Sequence, residues 1–157
     1  MPFATTLATA IGTLVLVADE QGLARIILPP DADRFKADDR MTTAGHPILD
    51  AAAGQITAYL QGRLTNFDLP LSLTGTRFRK QAWAIMRTIP YGETRTYGEI
   101  ARDLGNYGLA RAVGGAANAN PVPLVIPCHR VVGANGRLTG FAGGLTMKKY
   151  LLELERR

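Results

Sequence analysis

One cysteine occurs in the 157 residues: Cys128, in the run "IPCHRVVG", between Pro127 and His129. A thiol attacks as its thiolate, so it needs a base or a positive environment to lower a pKa of about 8.5. His129 places an imidazole next door, able to act directly or through one water. Neighbours in an extended chain point to opposite faces, so adjacency alone does not ensure contact. A third group should orient the ring, and by charge both Glu153 and Glu155 qualify. A lone cysteine is equally compatible with an inert buried thiol.

The surrounding segments must position this pair. Upstream, "ANANPVPLVIPCHRV" reads as an Asn-Pro turn, an apolar strand and the cysteine turn. Downstream, Gly136, Gly140, Gly143 and Gly144 make a loop that permits close backbone approach, either a pocket wall or an ordinary surface turn. An amphipathic helix, "LTMKKYLLELE", follows. Further upstream, "FRKQAWAIMRTI" puts Phe78, Ala82, Ile85, Met86 and Ile89 on one helical stripe, and "IPYGETRT" is a turn. "TYGEIARDLG" carries a capping box, Thr96 with Glu99, and a stop at Gly105. After "NYG" comes "LARAVGGAANANP". The two short helices have the outline of a helix-turn-helix, or of any αα-hairpin. The second is almost without side chains (Ala110, Ala112, Gly114, Gly115, Ala116, Ala117, Ala119), with Arg111 its one long charged residue. Each interior glycine costs about 1 kcal/mol against alanine. A helix this thin suits close approach to a neighbouring helix or to the DNA minor groove, about 6 Å wide.

The first half reads differently. "GTLVLVA" and "LARIIL" form a predicted hairpin about the turn "DEQG", "PPDADRFKADDR" a polar loop, and "HPILDAAAGQITAYLQGR" a helix with Ile48, Leu49, Ala52, Ile56, Tyr59 and Leu60 inward and Gly62 as its stop. "LTNFDLPLSLTGT" is extended. The expected domains are therefore 1–75 and 76–157, within an α+β fold.

The chain is 46% hydrophobic and 20% charged, as for a globular protein with a core. No run approaches the roughly 18 apolar residues of a membrane helix, and without a basic n-region no signal peptide is expected. A single cysteine excludes an internal disulfide and suits a reducing cytoplasm. Residues 1–75 hold 5 Lys/Arg and 8 Asp/Glu, net −3; residues 76–157 hold 13 and 5, net +8. The cysteine lies in the basic half, which suggests a polyanionic partner.

The motifs "IPYGETRTYGEIA", "ARAVGGAANANPVPLVIPCHRV" and "LTGFAGGLTMKKYLLELE", in order across most of residues 78–155, resemble the O6-alkylguanine-DNA alkyltransferases (methylated-DNA–protein-cysteine methyltransferases). The resemblance implies a small N-terminal domain of antiparallel sheet plus helix, and a mostly helical C-terminal domain with a helix-turn-helix of winged-helix type. It implies DNA repair: irreversible, single-use transfer of an alkyl group from O6-alkylguanine, and from O4-alkylthymine by the same chemistry, to Cys128 after base flipping. His129 would deprotonate Cys128 through a water, Glu155 orient His129, Asn120 brace the turn, and Tyr97 supply a proton toward guanine N3. Arg111 would fill the gap in the stack, and the helix bearing Ala110, Ala112, Gly114 and Ala117 would lie in the minor groove. The carbonyls of Cys128 and Val131 would read the guanine amino group, the N–H of Ala142 would bind O6, and Phe141 would stand in the pocket wall where relatives often have tyrosine. Ala117 is small for its position, which implies room for larger alkyl groups.

No cofactor is expected, nor zinc, because the first domain has no cysteine and one histidine, His46. The expected partner is duplex DNA, no membrane, and the expected state a monomer. The rival readings are a non-catalytic alkyl-lesion recognition protein, a cysteine hydrolase and a helix-turn-helix regulator.

Overall fold

The computed structural model describes residues 2–35 and 45–157. The chain forms two compact units, Met1–Thr74 and Gly75–Arg157.

In the first unit, β1 (Phe3–Thr9), β2 (Gly12–Ala18) and β3 (Leu23–Ile27) make an antiparallel sheet in that order, with Phe3 opposite Ala18 and Val15 opposite Ile27. The predicted hairpin is β2–β3, and its turn is set by Asp19, whose Oδ1 accepts from the N–H groups of Gln21 (2.8 Å) and Gly22 (3.0 Å). The sequence reading missed β1, an edge strand that buries only Ala4 and so shows no strong alternation. Strand β2 is central, and Leu14 to Ala18 are all buried. On one face Val15 and Val17 cluster with Ala4, Ile27 and Ala32, and Phe35 packs against them. Helix α1 (Pro47–Leu60) packs on the sheet through Leu49, Ala52, Ile56, Tyr59 and Leu60. Gly62, at φ +75°, closes it: Gly62 N–H donates to Tyr59 and Arg63 N–H to Ala58. Of the expected polar loop at 29–40, Asp31–Arg34 form a short 3-10 turn, and residues 36–40 lie outside the described residues.

The second unit contains α2 (Arg77–Met86), β4 (Arg95–Thr96), α3 (Tyr97–Asp103), α4 (Ala110–Asn118), β5 (Val131–Val132) and α5 (Leu145–Leu154). Strands β4 and β5 pair in parallel, Arg95 with Val131. Thr76 caps α2, which ends at Met86, three residues short of the predicted stripe, although Ile89 is still buried. The predicted stripe omitted Trp83, which is fully buried and donates its indole N–H to Ala116 of α4 at 2.7 Å. The capping box forms as predicted: Thr96 Oγ1 accepts from Glu99 N–H (3.0 Å) and Glu99 Oε1 from Thr96 N–H (2.9 Å). Gly105 follows α3 at φ +106°. Helices α3 and α4 pack together, and α4 also packs on α2.

Candidate active site

The segment before the cysteine is not the strand the sequence suggested. Residues 122–130 are all buried, but 122–126 curl into a turn in which Ile126 N–H donates to Val122 at 3.0 Å and Leu124 sits at φ +77°. Three prolines, at 121, 123 and 127, remove the donors a strand ladder needs. Asn120 supplies bonds from its side chain instead: Nδ2 donates to Ile126 (2.8 Å), Oδ1 accepts from Val122 N–H (3.0 Å), and the amide also hydrogen-bonds the thiol. Cys128–Arg130 then form one 3-10 turn.

Cys128 is 6% exposed. Burial pushes its thiol up to about 11, against the bond from Asn120 and the charge of Lys148. Burial wins, so the resting group is the thiol and needs a base. His129 is wholly buried, and its Nε2 lies 2.7 Å from Glu155 Oε2. A carboxylate only accepts, so Nε2 carries the proton and Nδ1 the lone pair. Desolvation lowers the His129 pKa below the usual imidazole value despite Glu155, which keeps the ring neutral at pH 7. The turn thus carries a protonated thiol next in sequence to a neutral imidazole.

Of the two candidate glutamates, Glu155 is buried and Glu153 exposed. Arg130, which the sequence reading passed over, holds Glu155 in a fork: Nε to Oε1 at 2.8 Å and Nη2 to Oε2 at 2.9 Å. Its Nη1 donates to Ile89 O at 2.7 Å, and its guanidinium stands over the Tyr91 ring at 5.7 Å. Gly92 N–H donates to Glu155 Oε1 at 3.3 Å; its φ is +83°, and a Cβ there would meet Glu155 O at 3.2 Å. The "IPYG" turn is therefore a seat for the Arg130–Glu155 pair. Lys148, also passed over, is fully buried and donates to Val131 O (2.6 Å) and Thr139 O (2.9 Å). A signal for it existed: Lys148, Leu151, Leu152 and Glu155 recur at helical spacing on one face.

A cavity of about 350 Å³ is lined by Tyr97, Ala110, Arg111, Gly114, Asn118, Thr139 and Gly140. Five of the residues singled out in the sequence, Tyr97, Ala110, Arg111, Gly114 and Gly140, are therefore in its lining. Cys128, Val131 and Ala117 are buried outside that lining, Phe141 is half-buried and Ala142 exposed in the following loop. The two groups are joined through Thr139, whose Oγ1 donates to Tyr97 Oη at 3.0 Å while its carbonyl accepts from Lys148.

On α4, Val113, Ala116 and Ala117 face inward, and Arg111, Ala112, Gly115 and Asn118 face out. A Cβ on Gly115 would meet nothing within 4 Å. Packing against neighbouring helices accounts for the small inward residues and leaves the smallness of the outer face for something else. Among the described residues no group of His, Cys, Asp and Glu is arranged to hold a metal ion, and no helix is long and apolar enough to cross a membrane.

Comparison with known proteins accords with this geometry. Residues 77–157 match the DNA binding domain of 6-O-methylguanine DNA methyltransferase, and residues 3–73 its ribonuclease-like domain. The methylated-DNA–protein-cysteine methyltransferase of Methanosarcina acetivorans is 45% identical over 145 residues, 92% of either chain. The structure of the Mycobacterium tuberculosis O6-methylguanine methyltransferase superposes with a TM-score of 0.86 at 42% identity, covering 99% of this chain and 93% of that one. A Mycobacterium tuberculosis OGT structure in complex with DNA gives 0.85 at 42% identity, covering 96% and 91%. With both of its units matched and its length nearly spanned, the chain belongs to the 6-O-methylguanine DNA methyltransferase family.

Proposed function

We propose that the chain repairs DNA by direct reversal, moving the alkyl group of O6-alkylguanine in duplex DNA onto Cys128, once per molecule. The observation that carries this reading is the buried Cys128 turn. It holds a neutral His129 oriented by Glu155, in a chain 45% identical to a methylated-DNA–protein-cysteine methyltransferase.

His129 Nδ1 takes the thiol proton, through one water. The sulfur attacks the alkyl carbon, an S–C bond forms, and the C–O6 bond breaks with its electron pair moving onto the guanine. Tyr97 supplies a proton at N3, and its own hydroxyl stays held by Thr139. The proton lost by Cys128 is thus balanced by one gained on the base. The thioether is a poor leaving group and no second thiol is present in the chain, so the reaction stops at one equivalent.

A buried sulfur cannot reach a base within the duplex, so the nucleotide is flipped out, at a cost of a few kcal/mol. Arg111 fills the vacated stack. The outer face of α4 enters the minor groove, which accounts for Gly115 and Ala112 having no packing role. Asn120 holds the turn. The carbonyls of Cys128 and Val131 each already accept one bond, from Val131 N–H and Lys148, and offer a second lone pair to the guanine amino group. Ala142 N–H binds O6, with Phe141 beside it. One copy of the chain supplies every group named, so the reading is of a monomer, in a reducing cytoplasm. The relatives named as methyltransferases disfavour a non-catalytic lesion-recognition role.

The test is intact-protein mass spectrometry after mixing with excess duplex containing O6-methylguanine. A gain of about 14 Da on one site, absent in Cys128→Ser, is expected. Turnover beyond one equivalent would point to a hydrolase, and binding without a mass gain to lesion recognition.

A further inference from the structure

Threonine hydroxyls usually bond the backbone a few residues away. That of Thr139 does not: its Oγ1 donates at 3.0 Å to Tyr97 Oη, 42 residues away in the chain. Among the described residues neither hydroxyl has another hydrogen-bond partner. The bond lies outside the core, because both residues are half-buried and line the cavity. Other contacts fix the rest of Thr139. Its carbonyl accepts from Lys148 Nζ at 2.9 Å, and its Cγ2 lies over Gly133, where an added Cβ would meet it at 3.4 Å. The Tyr97 ring lies along Gly114 of α4, where an added Cβ would stand 4.0 Å from Tyr97 Cε1. Packing thus uses the methyl and backbone of Thr139 and leaves its hydroxyl to Tyr97.

A phenol has one proton to give and also accepts. Guanine N3 only accepts, so with a base in the cavity Tyr97 must donate to N3 and Thr139 must donate to Tyr97. We propose that Thr139 is a positioning residue that turns the Tyr97 proton toward the base, a role that rests on the reading of Tyr97 as the donor to N3. As sulfur takes the alkyl carbon and the C–O6 bond breaks, the Tyr97 proton passes to N3. The phenolate oxygen left behind accepts a charge-assisted bond from Thr139, already in place and about twice as strong as the neutral one. Its charge is balanced by the proton that His129 took from Cys128. Both groups return to neutral by exchange with solvent water once the guanine has left.

The test compares single-turnover transfer from duplex O6-methylguanine by wild type, by Thr139→Val, which keeps the methyl contact, and by Thr139→Ser, which keeps the hydroxyl. At saturating protein, Thr139→Val should transfer about tenfold more slowly with unchanged duplex affinity, and Thr139→Ser should stay within about twofold of wild type. A duplex carrying the 3-deaza analogue, in which C–H replaces N3, gives the proton nowhere to go. On that substrate Thr139→Val and wild type should be equally slow. A valine variant as fast as wild type, a serine variant as slow as the valine one, or the same loss on the 3-deaza substrate would overturn the proposal. Tyr97→Phe separates this inference from its basis. If it slows transfer and Thr139→Val does not, the role of Thr139 fails alone; if wild type transfers nothing, the repair reading itself fails.

Discussion

Glu155 serves two groups in the Cys128 turn, the His129 ring and the Arg130 guanidinium, and their dependence on it differs. His129 is neutral at pH 7, whereas Arg130 is always charged and buried. Glu155→Gln therefore strands the Arg130 guanidinium, at a cost of about 3–5 kcal/mol, measurable as a lower urea midpoint. The pH dependence of stability has two limbs. The folded His129 pKa is lowered, so the unfolded chain binds the extra proton first. Its contribution is complete above the usual value of 6.5 and is lost as pH falls through the lowered folded value. The Cys128 pKa is raised, so its contribution is complete below the usual 9.0 and is lost as pH rises toward about 11. Cys128→Ser should flatten the alkaline limb of a thermal-melt pH series and leave the acid limb. At this scale the sequence was informative where a residue's neighbours in the chain are its partners in space, as with Thr96 and Glu99. Lys148 and Arg130 were missed because lysine and arginine are read as surface residues by default, and only the stripe through Leu151, Leu152 and Glu155 marks Lys148 as inward.

Among the elements, α4 separates stability from function most sharply. Gly115 faces open space, so Gly115→Ala should stabilise the folded protein by about 1 kcal/mol through helix propensity. Gly115→Leu should fold equally well yet bind duplex DNA at least tenfold more weakly, because the added side chain occupies the face assigned to the minor groove. Equal affinity in a fluorescence-anisotropy titration would remove α4 from the interface. Helix ends and the central strand were legible because Gly62, Gly105 and the Val/Leu run of β2 obey local rules. The segment at 122–126 was not. Its apolar composition is that of a strand, and its burial agrees, but the three prolines and the Asn120 side chain redirect the backbone into a turn. Composition reported where the segment lies and missed how it runs. Strand β1 failed the other way, being an edge whose pairing with β2 leaves little trace in hydropathy.

At the scale of the molecule, charge is divided between the halves: residues 76–157 carry net +8 and residues 1–75 net −3. Binding to duplex DNA should weaken linearly on a plot of log affinity against log salt, with a slope near −0.9 per phosphate neutralised. Arg111→Ala should leave that slope within about one phosphate of wild type while slowing transfer from duplex at least tenfold, because the side chain is assigned to the base stack rather than the backbone. A slope change with an unchanged single-turnover rate would reverse the assignment. The fold class was readable from the order of elements alone. The family was readable only from the motifs between residues 78 and 155.

The chain has one tryptophan, and its indole N–H is bonded to the backbone of α4 at Ala116. The protein thus contains its own optical probe. Trp83 is dry and should emit at short wavelength, and any tilt of α4 that breaks the bond changes both the hydrogen bonding and the polarity around the ring. A stopped-flow trace of intrinsic fluorescence would follow engagement of DNA without a label. If the nucleotide is flipped after α4 has docked, the optical signal should run ahead of the gain in mass.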